Sequence, residues 1–104
     1  MTAYDIILID FPFEDKSGGK VRPALLLPNQ SAMLIGAKIT SKLDKYNSDN
    51  DYKVVKWKKA GLLKPSVVRL DKLFKTSSEH VIKVIGHLDD VDISNIKNIL
   101  KNNK

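Results

Sequence analysis

The chain is 104 residues long and 42% hydrophobic, has no cysteine, and carries a formal net charge of +6 at pH 7. That length suits one domain with a modest core and a thin stability margin, a deficit that dimerisation commonly offsets. Without cysteine, a disulfide scaffold, a thiol nucleophile and any thiolate metal site are excluded, and a fully reduced inventory suits the cytoplasm.

Charge placement says more than its size. Residues 38–75 hold ten lysines and one arginine against four aspartates, a surplus of +7, so the middle third carries the basic character. A concentrated basic region is the electrostatic footprint of a polyanion partner, or else a lysine-coated soluble surface.

The elements follow in chain order. The start lacks the charged n-region of a signal peptide, and the apolar run at 6–9 is far below the roughly 20 residues of a membrane helix. The chain therefore reads as soluble, unexported and without a membrane partner. Residues 5–11 (DIILIDF) read as a buried strand, which Pro12 ends. Gly18 and Gly19 in 13–20 (FEDKSGGK) mark a turn. A second strand spans 23–27. A third spans 33–40, with Gly36 inside it suggesting a bulge or a barrel bend. Residues 42–51 read as a polar loop. Lysine-decorated 52–57 (YKVVKW) reads as a fourth strand near an edge, 58–65 as a connection, and 66–74 as a fifth strand. In that strand alternation puts Val68 and Leu70 on one face and Arg69 and Asp71 on the other. Residues 81–85 form a sixth. The C-terminus is helical: Asp89 caps it, Asp92 is its N3 residue, and Ile93, Ile96, Ile99 and Leu100 form an apolar stripe. Five or six short antiparallel strands with one closing helix predict a mainly β fold, a small bent barrel.

Three constellations could do chemistry. Pro23 biases Arg22 toward extended backbone, so a planar, permanently charged fork projects after the glycine loop. The SGGK run lacks P-loop spacing. Lys38, Thr40 and Lys42 alternate near a strand end and would place a hydroxyl between two cations. Arg69 and Asp71, two apart, point the same way in a strand and read as a reactive pair or as a surface salt bridge. His80 and His87 lie apart from these and read as structural, and no metal-ligand spacing occurs. Trp57, Tyr52 and Tyr46 could stack nucleobases, burial being the commoner fate for Trp57.

In order, the segments DIILIDFPF at 5–13, a glycine loop, KVRPALLL at 20–27, AKITSK at 37–42, AGLLKPSVVRLDKLFKT at 60–76 and IGHLDDVDISNIKNIL at 85–100 resemble the PemK/MazF toxin family. The resemblance spans nearly the whole chain. It implies an SH3-like barrel with a C-terminal helix and a homodimer. It also implies metal-independent, cofactor-free, sequence-selective cleavage of single-stranded RNA, restrained by a cognate antitoxin. In the MazF branch the catalytic pair matches Arg22 and Thr40; in the Kid/PemK branch it matches Arg69 and Asp71. Lys20, Lys38, Ser41, Lys42 and Lys64, in the matching segments, are candidate RNA contacts. The histidine that the Kid branch has before its Arg-Pro dipeptide is absent from 13–20. A non-catalytic nucleic-acid-binding module and a topoisomerase inhibitor are the alternatives.

Overall fold

The computed structural model of the chain describes residues 1–11, 20–47 and 49–102; the glycine loop expected at 13–20 lies outside these, apart from the backbone of Lys20. Six strands are β1 (Asp5–Phe11), β2 (Lys20–Leu27), β3 (Leu34–Thr40), β4 (Asp51–Lys53), β5 (Val67–Thr76) and β6 (Val81–His87), followed by helix α1 (Asp90–Asn102). They form one antiparallel sheet in the order β4-β5-β3-β2-β1-β6.

Side-chain alternation sorts this sheet into two faces. Ile6, Leu25, Leu27, Ala37, Ile39 and Val68 meet Leu88 and Ile96 in the main core. A smaller cluster of Ile7, Ile9 and Ala24, with Phe74 and Val81 against it, forms on the other side. Burial on both faces explains why β1 reads as a continuous apolar run rather than an alternating one. In α1 the expected stripe reaches the core through Ile93, Ile96 and Leu100, while Ile99 is half-buried. The cap is as expected: an Asp89 carboxylate oxygen accepts the Val91 N–H at 3.1 Å.

Three expectations are corrected. The second strand begins at Lys20 rather than at 23, with Pro23 tolerated inside β2 because β3 pairs with it only from Ala24 onward. The fourth strand is an edge but has three residues, not six. Val54 N–H still bonds the Ser66 carbonyl at 3.0 Å, in register with the ladder, but the next two donors leave it: those of Val55 and Lys56 go to the Asp92 carboxylate. The barrel expectation also needs revision, because the sheet is not closed. Its two edges, β4 and β6, are bridged by the 54–66 connection, which crosses β6 at very short range. A methyl group placed on Gly86 would lie 1.7 Å from the Ala60 carbonyl oxygen. One on Gly61, at φ +92°, would lie 2.4 Å from that of Ile85. Only glycine fits both sides of that crossing.

Gly36 serves a related purpose in β3. Its missing side chain makes room for the Phe74 ring, whose tip would stand 2.7 Å from a Cβ there. Next to it the β3–β5 register jumps: Ala37 faces Leu73 but Lys38 faces Arg69, so 70–72 bulge out of the ladder.

Candidate active-site groove

The register that follows the bulge builds a charged row. Lys38 on β3 faces Arg69 on β5, and Arg69 faces Asp51 on β4. Two cations placed directly opposite repel. The buried Asp51 carboxylate offsets this, accepting the Arg69 Nε–H at 3.0 Å and, on its other oxygen, the Asn47 N–H at 3.0 Å. Arg22 enters from β2, two residues before Ala24, the partner of Lys38.

These strands wall a groove with two lobes. The first, of about 330 Å³, is lined by Arg22, Pro23, Lys38, Ile39, Thr40, Arg69 and Lys72. Four cations thus surround one hydroxyl. The second, of about 360 Å³, shares Arg22, Pro23, Ile39 and Thr40 and adds Ser41, Lys42 and Lys64 beside an apolar wall that includes Leu8, Leu62 and Leu63. Thr40 ends β3, and its Oγ1 accepts the Lys42 N–H at 3.1 Å. That bond leaves the hydroxyl proton to be donated elsewhere. Because the strand stops here, Lys38 and Lys42 flank Thr40 in different lobes rather than along one extended face.

Of the residues singled out in the sequence, the groove therefore gathers Arg22, Lys38, Thr40, Ser41, Lys42, Lys64 and Arg69. The Lys20 side chain lies outside the described residues. Asp71 is not in the groove: it lines a separate depression with Asp49, Asn50, Leu70, Leu73 and Leu100. The bulge at 70–72 separates it from Arg69, and among the described residues the ion-pair partner of Arg69 is Asp51. Neither histidine lines either lobe. His87 Nδ1 lies 2.7 Å from Asp5 Oδ1. Burial pushes the Asp5 carboxyl up, but the Thr2 N–H, His87 and the Thr2 hydroxyl outweigh it and hold it below the usual carboxylate range. Trp57 packs partly against the core, with Lys58 Nζ 5.5 Å from its ring centre.

Sequence reasoning missed Lys72 and Asp51. Strict alternation would have put Lys72 on the face opposite Arg69, and only the bulge returns it. Asp51 stood in a stretch that read as loop, 18 residues before its partner.

The chain matches the family model described as PemK-like, MazF-like toxin of type II toxin-antitoxin system over residues 2–103. It belongs to that family of toxins. No curated protein is similar enough in sequence to match this toxin. Solved structures share its fold. It is similar to an endoribonuclease in complex with its cognate antitoxin from Mycobacterial species, with a TM-score of 0.77 at 11% identity over 98% of this chain and 92% of that one. It is similar to an endoribonuclease from Mycobacterial species, with a TM-score of 0.71 at 10% identity over 97% and 88%. The Mycobacterium tuberculosis toxin MazF-mt6 gives 0.70 at 19% identity over 94% and 93%.

Proposed function

We propose that this toxin is a metal-independent endoribonuclease that cuts single-stranded RNA. The observation that carries the reading is the first lobe, where Arg22, Lys38, Arg69 and Lys72 converge around Thr40. In this reaction the 2′-oxygen bonds to the neighbouring phosphorus and the bond from phosphorus to the 5′-oxygen breaks. A 2′,3′-cyclic phosphate and a 5′-hydroxyl result. The phosphorane between them carries more negative charge than the ground state, so cations fixed in advance stabilise it selectively. The Arg22 fork suits two phosphate oxygens at once. Thr40 donates its hydroxyl to the phosphate. Among the described residues neither lobe offers a carboxylate or an imidazole. In this reading a water molecule takes the 2′-OH proton and returns one to the leaving oxygen. Arg22 and Thr40 form the reacting pair, with Arg69 and Lys38 as charge support. Asp71, outside the groove, is the weaker candidate for base.

The same reading includes a homodimer and an acidic antitoxin segment. The exposed apolar side chains Val21 on β2 and Ile82 and Val84 on edge strand β6 favour a second copy. A cationic groove favours an acidic, initially disordered ligand. No helix among the described residues is long and apolar enough to cross a membrane.

The test is incubation of the purified toxin with mixed-sequence single-stranded RNA in excess EDTA. Cleavage to 2′,3′-cyclic phosphate ends is expected, slowed about a hundredfold or more in Arg22→Ala, the scale for losing one preorganised charge-stabilising donor. RNA that is bound but left intact would refute the enzyme and favour a non-catalytic binding module.

A further inference from the structure

We infer that Asp92, on the helix and outside the groove, is a positioning residue for the RNA-binding arm of the second lobe. This rests on the ribonuclease reading only for its consequence, not for its geometry. Asp92 sits in the first turn of α1, where an acidic side chain ordinarily faces solvent near the positive end of the helix dipole. Here its side chain is fully buried. One carboxylate oxygen accepts the Tyr52 hydroxyl and the Val55 N–H, the latter at 2.8 Å. The other accepts the Lys56 N–H at 2.9 Å. One turn further along the helix, Asn95 Nδ2 donates to the Tyr52 hydroxyl at 2.9 Å.

A buried charge is costly, and among the described residues no cation pairs with this one. Three donors and the helix N-terminus compensate it instead. A simple tether of α1 to the sheet would need only apolar contacts, which Ile93 and Ile96 already supply. What the carboxylate adds is direction. Two consecutive N–H groups bonded to one side chain fix the backbone where it leaves β4.

From there the path is determined step by step. Ala60 N–H bonds the Lys56 carbonyl, Gly61 N–H that of Lys58, and Leu62 N–H that of Trp57, at 3.0–3.1 Å. Gly61 then passes Gly86 on β6 at the close crossing. Beyond it Leu62, Leu63 and Lys64 enter the groove facing Thr40, Ser41 and Lys42. Leu63 is 94% exposed, so burial of its own side chain does not hold it there. Ala60 and Leu62, both buried in the main core, anchor the arm, and the trajectory set at 55–56 directs the chain toward those anchors.

Two measurements on the full chain test this. Amide exchange needs no RNA and is independent of the ribonuclease reading: Asp92→Asn should raise exchange across 57–64 at least about tenfold, the scale of one lost hydrogen bond to a charged group. Unchanged exchange there would overturn the proposal even if the toxin cleaves RNA. In cleavage assays Asp92→Asn should raise KM about tenfold with kcat within about twofold of the parent, because the phosphate lobe is untouched. Its effect on KM should nearly vanish in a Lys64→Ala background, since both act through one arm. A purely structural role predicts instead a fall in kcat at constant KM, or additivity with Lys64→Ala, and either overturns the assignment. Should Asp92→Asn fail to fold, Tyr52→Phe, which removes one of the three donors, should shift exchange and KM in the same directions by less; no shift in either counts against the proposal.

Discussion

Replacing Gly86 with alanine should be among the most damaging single-methyl additions this fold can receive. The new Cβ would lie 1.7 Å from the Ala60 carbonyl oxygen and 3.2 Å from the Gly61 Cα. Both neighbours are backbone, so no rotamer change relieves the contact. The Gly86 backbone cannot retreat easily either, because it pairs with Ile6 in the sheet. Adding a methylene to a well-packed site that can partly relax costs about 1–3 kcal/mol. A contact this close against fixed backbone belongs at or above the upper end, about 3 kcal/mol. For a chain of this size that corresponds to a fall in Tm of about 12 °C or more. Gly36→Ala is the internal control: its Cβ would meet the tip of the Phe74 ring at 2.7 Å, and a half-buried ring can tilt. About 1 kcal/mol, or roughly 4–8 °C, is expected there. Thermal unfolding by circular dichroism reads both. A Gly86→Ala protein melting within about 4 °C of the parent, or less destabilised than Gly36→Ala, would refute the crossing as a rigid packing element.

Two other perturbations probe charge. Asp51→Asn removes the buried partner of Arg69 while Lys38 remains opposite, and should cost about 2–3 kcal/mol in urea unfolding, below the usual 3–5 for a broken buried pair because Arg69 is partly exposed; a loss under about 0.5 kcal/mol would show that Asp51 is not neutralising the row. The Tyr52 hydroxyl is pushed up to about 12 by burial and by donation to Asp92. A raised acid favours folding while it stays protonated, so its contribution is complete below about pH 10 and is lost as pH rises toward about 12. Urea midpoints across that window should fall less steeply in Tyr52→Phe than in the parent, and parallel slopes would contradict the assignment.

Much of the fold was legible from local pattern. The first strand ran over 5–11 as expected because a short, isoleucine-rich apolar run ended by Pro12 admits little else, and Asp89 announced the helix start. The fourth strand was overextended because alternation in YKVVKW carries no sign that a helix nearly forty residues later would draw off two of its N–H groups. The open sheet was hidden for the same reason, since a three-residue edge strand cannot reach β6. In the groove, Arg22, Lys38, Thr40 and Arg69 were legible from strand ends and alternation. The Arg69–Asp71 juxtaposition was not, because a bulge displaces the face of every residue that follows it. Asp51 and Asp92 show the general difficulty. A buried carboxylate is defined by donors distant in sequence, and on the page it looks like any other surface acid.

The Lys38–Arg69 pairing also bears on folding itself. Placing like charges across a ladder, with Arg22 and Lys72 lining the same lobe, concentrates positive charge there, and the buried Asp51 balances the Arg69 part of it. The groove thus gathers positive charge that a polyanion would meet on binding. Folding and occupancy are linked through that charge. Salt should steady the protein by screening the cations and at the same time weaken its hold on a polyanion. An acidic ligand needs no conformational change to stabilise the fold; filling the lobe with opposite charge is sufficient.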